Sequence, residues 1–285
     1  MVIVDFNGMA VGSIMGQLNR GEPLSEGLVK HIVLNNLRMY RQKYPESKYG
    51  NMVIACDSYS WRKDVYPEYK ASRKTKRDTD KIDWKAIYAH IDTILQDLRE
   101  NFPYAVIRID NAEADDIIGA LTIHKSEPVV GENVVIVSAD KDFIQLQAYG
   151  HVIQWSPMFQ KMLKEADPTK YIFEHIMKGD SCDGVPNVMS PDNSFTDKIR
   201  QTPMRMKLIN EWWEHRDDLK AHMPEECYRN YMRNREMIDL HRTPEVIKSE
   251  SVSLYENYKY SERSNILTYL VENQMKLLVE CAGEF

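Results

Sequence analysis

The 285 residues contain no CxxC pair, no Cys/His run with zinc-ligand spacing and no internal repeat. Cys56, Cys182, Cys227 and Cys281 are the only cysteines, and they lie far apart. That predicts reduced structural thiols and excludes a zinc ribbon or a disulfide scaffold. The eight histidines show no metal-ligand spacing either. No stretch approaches the roughly 20 apolar residues a membrane helix needs. An acid at position 5 interrupts the apolar start MVIVDFNG, which argues against a signal-peptide core. A cytoplasmic protein without a membrane partner is expected. Excess positive charge is missing as well. The net charge of −6 argues at first against a nucleic-acid partner. The remaining composition, 43% hydrophobic and 28% charged, is that of a globular protein with a real core. The length suits one large domain or a main domain with a smaller companion, and a monomer is expected.

What is there begins with one device repeated through the first half. A short apolar run ends at an acid: VIV before Asp5, MVIAC before Asp57, VIRI before Asp110 and VVIVSA before Asp140. Runs this short and apolar on both faces suit buried parallel strands. Between them lie helical patterns. Ser25 is a plausible N-cap, and Leu28, Val29, Ile32, Val33, Leu37 and Tyr40 follow it on one face. Trp84, Ile87, Ile91, Ile94, Leu95 and Leu98 form the next such stripe, and a third helix starts near Glu113. The expected fold is therefore α/β, a mostly parallel central sheet with flanking helices. HVIQW and KMLKE read as a last strand or a hairpin around Ser156-Pro157. Beyond Pro168 the signals are helical and polar. The boundary is placed there: 1–167 as the α/β part, 168–285 as a smaller helical C-terminal domain packed against it. Trp212-Trp213 reads as packing.

In parallel sheets, ligands sit beyond the carboxyl ends of the strands. Asp5, Asp57 and Asp140 should converge there. Glu113 and Asp116 share one face of a helix start, with Asp115 beside them. Asp142 follows Asp140 by two residues, and Asp180 and Asp183 form a further pair in GDSCDG. Asp110 is left to a turn role. Any one of these acids reads equally well as a cap or first-turn residue. Nine together could not all ionise without strong repulsion, and two hard divalent cations would relieve it. Absence of nearby His or Cys points to Mg²⁺, with Mn²⁺ as a substitute, rather than zinc. Two such ions would activate a water and stabilise the leaving oxygen of a phosphodiester. Setting these nine acids aside leaves Lys and Arg in slight excess.

The positive charge concentrates directly after Asp57. Arg62, Lys63, Lys70, Arg73, Lys74, Lys76 and Arg77 are interleaved with Trp61, Tyr66 and Tyr69. Bases neutralise phosphates and rings stack on unpaired bases. Residues 59–82 are expected to stand over the acids as a basic arch. A solvated charge run is the alternative.

In combination and order, VDFNG at Asp5, ACD at Asp57, WRKDVYPEYKASRK, EADD from Glu113, SADKDF at Asp140 and GDSCDGVPN at Asp180 carry a resemblance. The chain resembles the 5′-nuclease or flap-endonuclease superfamily, and within it the ribonuclease H branch of T-even bacteriophages. Weaker likeness continues through RQTPMRM, YRNYMRNREMIDL and the final GEF. The resemblance implies that Asp5, Asp57, Glu113, Asp115 and Asp140, with Asp116 as an added candidate, hold a catalytic ion. It gives a second ion to Asp142, Asp180 and Asp183. It casts Lys70, Arg73 and Arg62 as contacts to the scissile phosphate. It also implies 5′-3′ exonuclease, flap-endonuclease and ribonuclease H activity on DNA and RNA–DNA duplexes, removing RNA primers in lagging-strand replication. Many relatives continue GDxxDNIPGVxGIG after the second acid pair; here GVPNVMSPDNSFTDKIRQTPM lacks the second glycine pair of that DNA-gripping hairpin.

Three other functions compete. A haloacid-dehalogenase-like phosphatase also places Asp after the first strand, but it wants a second acid where Asn7 stands. A non-catalytic nucleic-acid-binding replication protein would be hindered by nine acids. A related RNA-cutting PIN-type nuclease shares the acidic sheet but not the long basic segment. The C-terminal tail, read with Phe285 exposed, is a candidate peptide for a sliding clamp or a single-strand-binding protein, and equally an ordinary chain end.

Overall fold

The computed structural model describes residues 1–18, 25–73, 82–126 and 132–285. Six strands form one sheet: β1 (Val2–Asp5), β2 (Met52–Cys56), β3 (Ala105–Arg108), β4 (Val134–Val137), β5 (Val152–Ser156) and β6 (Lys161–Leu163), in the order β3-β2-β1-β4-β5-β6. β1 to β5 pair in parallel, with Val2 opposite Met52 on one side and Val135 on the other. β6 returns antiparallel along β5 as the expected hairpin. The strands are apolar on both faces because both faces are covered: Val2, Ile3 and Val4 are fully buried.

Local signals set the helix ends. Ser25 accepts a hydrogen bond from the Leu28 N–H at the start of α2 (Glu26–Lys43), which follows α1 (Phe6–Leu18). Asp83 accepts from Ala86 at the start of α3 (Trp84–Asn101). A capping box between Glu113 and Asp116 opens α4 (Ala114–Lys125). Asp167, followed by Pro168 in the first turn, opens α5 (Pro168–Lys178). Caps of this kind contribute about 1 kcal/mol each and fix where the chain leaves the sheet.

α1, α2 and α3 cover one sheet face through Val33, Leu37, Ile91 and Leu95; α4 covers the other through Ile117, Ile118 and Leu121. The last third of the chain divides. α6 (Met206–Glu214) and α7 (Glu225–Ile238) build a separate cluster with α5 around Phe173, Met177, Ile209 and Trp212, so the Trp pair does serve packing. α8 (Glu245–Glu256) lies along α4, while α9 (Ser264–Glu272) and the chain end return to the opposite face. Phe285 is 1% exposed, its ring lies 5.3 Å from that of Phe102, and its carbonyl accepts from Arg263. The expectation of an exposed C-terminal phenylalanine is therefore wrong: the apolar ring gains more from the α2–α3 core than from water.

Candidate active site

The sheet order reverses direction between β1 and β4, where a doubly wound sheet opens a crevice at its carboxyl edge. Asp5 ends β1, Asp57 follows β2, and Asp140 follows β4. The Asp5 carboxylate accepts from Ser138 Oγ (2.8 Å) and from the Gly8 N–H (3.1 Å). A Cβ at Gly8 would meet Asp5 Oδ2 at 2.6 Å, so the glycine of VDFNG is what lets the helix start so close to the acid. Ser138 Oγ also accepts from the Asp140 N–H, tying the two strand ends together. Asp57 accepts from the Ala114 N–H (2.9 Å), which docks the start of α4 against β2. Asn7 Oδ1 accepts from the Asp57 N–H (3.3 Å), so it serves as a brace where a phosphatase of the other type needs an acid.

The acids sense one another. Burial, then the charges of Asp57 and Asp140, push Asp5 up to about 6. Burial, then Asp140, holds Asp115 well above the usual carboxylate range. Burial and the repulsion of Glu113 raise Asp57 against the pull of its backbone donor. Asp142, buried beside Asp140, is pushed up to about 8. Carboxylates gathered in this way match a hard divalent cation better than they match each other.

Asp142, His175 and Asp180 form the one His/Cys/Asp/Glu group with closely converging ligand atoms among the described residues. Gly179, at φ +68°, ends α5 and turns Asp180 back towards His175; a Cβ there would meet Val185 O at 2.3 Å. His175 is a correction to the expected absence of nearby histidine. It lies five residues before Asp180, a spacing that only a helix end followed by a glycine turn brings together.

Glu113 and Asp183 behave differently. Glu113 accepts from Ser60 Oγ (2.9 Å), Tyr69 OH (2.8 Å), Arg62 (3.2 Å) and Lys70 Nζ (2.5 Å). Burial opposes its charge, but Lys70 and Arg62 outweigh that and hold it down at about 2. Asp183 accepts from Arg73 (2.5 Å) and lies 2.9 Å from Tyr69 OH and 3.4 Å from Lys70 Nζ. Lys70 sits at φ +56°, a backbone state that costs a non-glycine residue about 1–3 kcal/mol. Its N–H donates to Asp183 O (2.7 Å), which holds the turn in place.

Asp116 is also a correction. It is fully buried and accepts from Arg62, Trp61 Nε1, Thr243 Oγ1 and the Glu113 N–H. With its lone pairs committed inside the protein, it is no ligand for an ion in the crevice. Arg62 changes role with it: 1% exposed, it bridges Glu113, Asp116 and the Met237 carbonyl rather than facing a phosphate. Tyr66 and Tyr69 are likewise buried, with Tyr66 OH donating to Asp192 O, so neither offers a face for base stacking. The half-exposed ring of this segment is Tyr59, with Lys63 Nζ 5.0 Å from its centroid. Arg73 remains 42% exposed in its side chain. Lys74, Lys76 and Arg77 lie outside the described residues. Cavities of about 430 Å³, lined by Asp5, Asp140 and Met9, and about 520 Å³, lined by Asp57, Lys63, Lys70 and Arg73, flank the acids.

In place of a second glycine pair, the loop after Asp183 is pinned by asparagines. Asn230 donates to the Val188 and Ser190 carbonyls, Asn234 to those of Ile176 and Pro186, and Asn187 to that of Thr202.

Residues 1–175 match the model of the 5′-3′ exonuclease N-terminal resolvase-like domain, and residues 167–285 match that of the T4 RNase H C-terminal region. Ribonuclease H of Enterobacteria phage T4 is 29% identical, over 99% of this chain and 95% of its own. Flap endonuclease Xni of Shewanella oneidensis is 33% identical over 57% of this chain and 60% of its own. The D15 protein of phage T5, crystallised with metal ions, superposes with a TM-score of 0.60 at 16% identity, covering 90% of this chain and 99% of that one. A T5 D15 flap endonuclease complex with DNA and metal ions gives 0.60 at 15%, covering 90% and 97%.

Proposed function

The chain belongs to the 5′-3′ exonuclease family, and from that premise we propose a divalent-metal-dependent 5′-3′ exonuclease and flap endonuclease with ribonuclease H activity. Its substrates would be RNA–DNA or DNA duplexes with a 5′ end or flap, and its task the removal of RNA primers in lagging-strand replication. The observation that carries this reading is the mutual repulsion of Asp5, Asp57, Asp115 and Asp140 at the carboxyl edge of the sheet, with Lys70 and Arg73 lining the cavity beside Asp57.

Asp5, Asp57, Asp115 and Asp140 would hold a first cation and Asp142 and Asp180 a second; Glu113 and Asp183, expected among the ligands, are engaged instead by Arg62, Lys70 and Arg73. Bound Mg²⁺ or Mn²⁺ would supply Lewis-acid charge neutralisation for in-line phosphodiester hydrolysis. The chain's own residues do the rest. Ser138, Gly8 and Ala114 fix the carboxylates in orientation. Lys70 and Arg73, held at the rim by Glu113 and Asp183, can turn to the phosphate and offset its developing charge. Phosphodiester hydrolysis needs no reading of base edges, so specificity would rest on shape. The exposed Lys198, Arg200, Arg205 and Lys207 suit duplex phosphates in a DNA-binding part spanning 168–285, beside a catalytic part spanning 1–167. The protein is proposed to act as a monomer in a cytoplasm. A clamp or single-strand-binding partner would have to use a surface other than Phe285.

Digestion of a 5′-labelled RNA–DNA hybrid and a 5′-flap duplex, each with Mg²⁺ and with EDTA, tests the proposal. Release of 5′ products that EDTA stops is expected. Binding without cleavage in Mg²⁺ would instead favour a scaffold protein.

A further inference from the structure

We infer that the His175 imidazole nitrogen, together with Asp142 and Asp180, is a direct ligand of the second cation, making that position selective for Mn²⁺ over Mg²⁺. The inference rests on the metal-dependent reading above but concerns a residue type that an all-carboxylate site does not include.

The geometry points this way. His175 Nε2 lies 3.5 Å from Asp142 Oδ1 and 3.5 Å from Asp180 Oδ2. Both separations exceed a good N–H···O bond. Nε2 and Asp142 Oδ1 are buried atoms with no hydrogen-bond partner. Native proteins rarely leave two such atoms facing each other unsatisfied. Ligands about 2.0–2.2 Å from one shared ion stand about 3.0–3.5 Å apart, so the spacing fits donors waiting on a common acceptor. The three donor atoms lie within 4.8 Å of one another. They come from segments that are independently fixed. Asp142 opens the 3-10 turn after β4, His175 sits in the last turn of α5, and Asp180 is braced by the Cys182 and Asp183 N–H groups.

Imidazole changes which ion is preferred. Both ions favour oxygen donors, but Mn²⁺, the first of the transition-metal affinity series, loses less than Mg²⁺ when a ring nitrogen replaces one of them.

The rival role for His175 is a cationic counter-charge to the two acids, and it predicts the opposite sign. Mn²⁺ titration of the full chain, followed by calorimetry and by pulsed electron paramagnetic resonance, separates them. A coordinated-nitrogen coupling is expected on the second Mn²⁺ of the unaltered protein. In His175→Gln that coupling disappears, second-site Mn²⁺ affinity falls about tenfold or more, and Mg²⁺ affinity there changes less than about threefold. Absence of nitrogen coupling in the unaltered protein overturns the inference. So does a His175→Gln protein that binds the second Mn²⁺ equally or more tightly. A single bound Mn²⁺ that Asp5→Asn removes, with no nitrogen signal, sinks only this inference. A protein that binds no Mn²⁺ at all sinks the metal-dependent reading with it.

Discussion

Two sets of acids stand a few residues apart and are treated in opposite ways. Asp5, Asp57 and Asp115 face other acids and a few backbone or hydroxyl donors, and burial leaves their charges unfavourable. Glu113 and Asp116, one step along the same chain segment, are enclosed by Arg62, Lys70, Tyr69, Trp61 and Thr243. One set is committed to holding the crevice together. The other is left short of positive charge, which only something outside the chain can supply. The chain spends Arg62 wholly on Glu113 and Asp116.

The sharpest break of the comparison is to neutralise the acid whose charge opposes Asp5 and Asp115. Asp140→Asn should lower cleavage by about 10³-fold or more while duplex binding stays largely intact, since a lost metal ligand removes several kcal/mol of charge stabilisation. A variant that cuts at near-normal rates in Mg²⁺ would remove Asp140 from the chemistry. The paired set should respond in stability instead. Arg62→Ala strands two buried carboxylates and is expected to cost about 3–5 kcal/mol in chemical denaturation. A loss below about 1 kcal/mol would mean that Glu113 and Asp116 do not depend on it.

This division also marks what could be read before the fold was known. The strand ends were legible because a buried parallel strand leaves an apolar run that stops abruptly at an acid, as VVIVSAD does before Asp140. The cap at Ser25 was written in the local sequence in the same way. Partner choice was not legible. Arg62, Lys70 and Arg73 look alike in a charge run, yet burial makes the first a structural bridge and leaves the third half-exposed. His175 was missed because its partners Asp142 and Asp180 meet it only through the packing of α5 on the segment after β4. Phe285 was misjudged because nothing local distinguishes a docked chain end from a free one.

Arg73 lies between the two sets, since it touches Asp183 yet keeps much of its side chain in water. Arg73→Ala should change stability by less than about 1 kcal/mol, as exposed ion pairs do. It should nonetheless lower kcat by about 100-fold, the scale of one lost charge-stabilising donor. An unchanged kcat in single-turnover assays would assign Arg73 to the structure alone.

The smallest effect expected is a pH dependence that separates the sets in the protein stripped of metal by EDTA. Asp5, at about 6 and above the ordinary 3.8, binds its proton more readily folded than unfolded, and Asp142, at about 8, does so more strongly. A carboxyl raised on folding destabilises while ionised, so stability should rise as pH falls from about 8 towards 5. Glu113, at about 2 and below the ordinary 4.5, has the opposite sign: its contribution is intact above pH 4.5 and is lost as the pH falls towards 2. Stability should therefore pass through a maximum near pH 5, with a Tm gain of about 5 °C over pH 8. Saturating Mn²⁺ should flatten the upper limb by keeping the unpaired set ionised and leave the Glu113 limb in place until protons displace the ion. A Tm that falls steadily from pH 8 to 5 in EDTA would mean that both sets are already neutralised from within the chain, and the distinction between them would be lost.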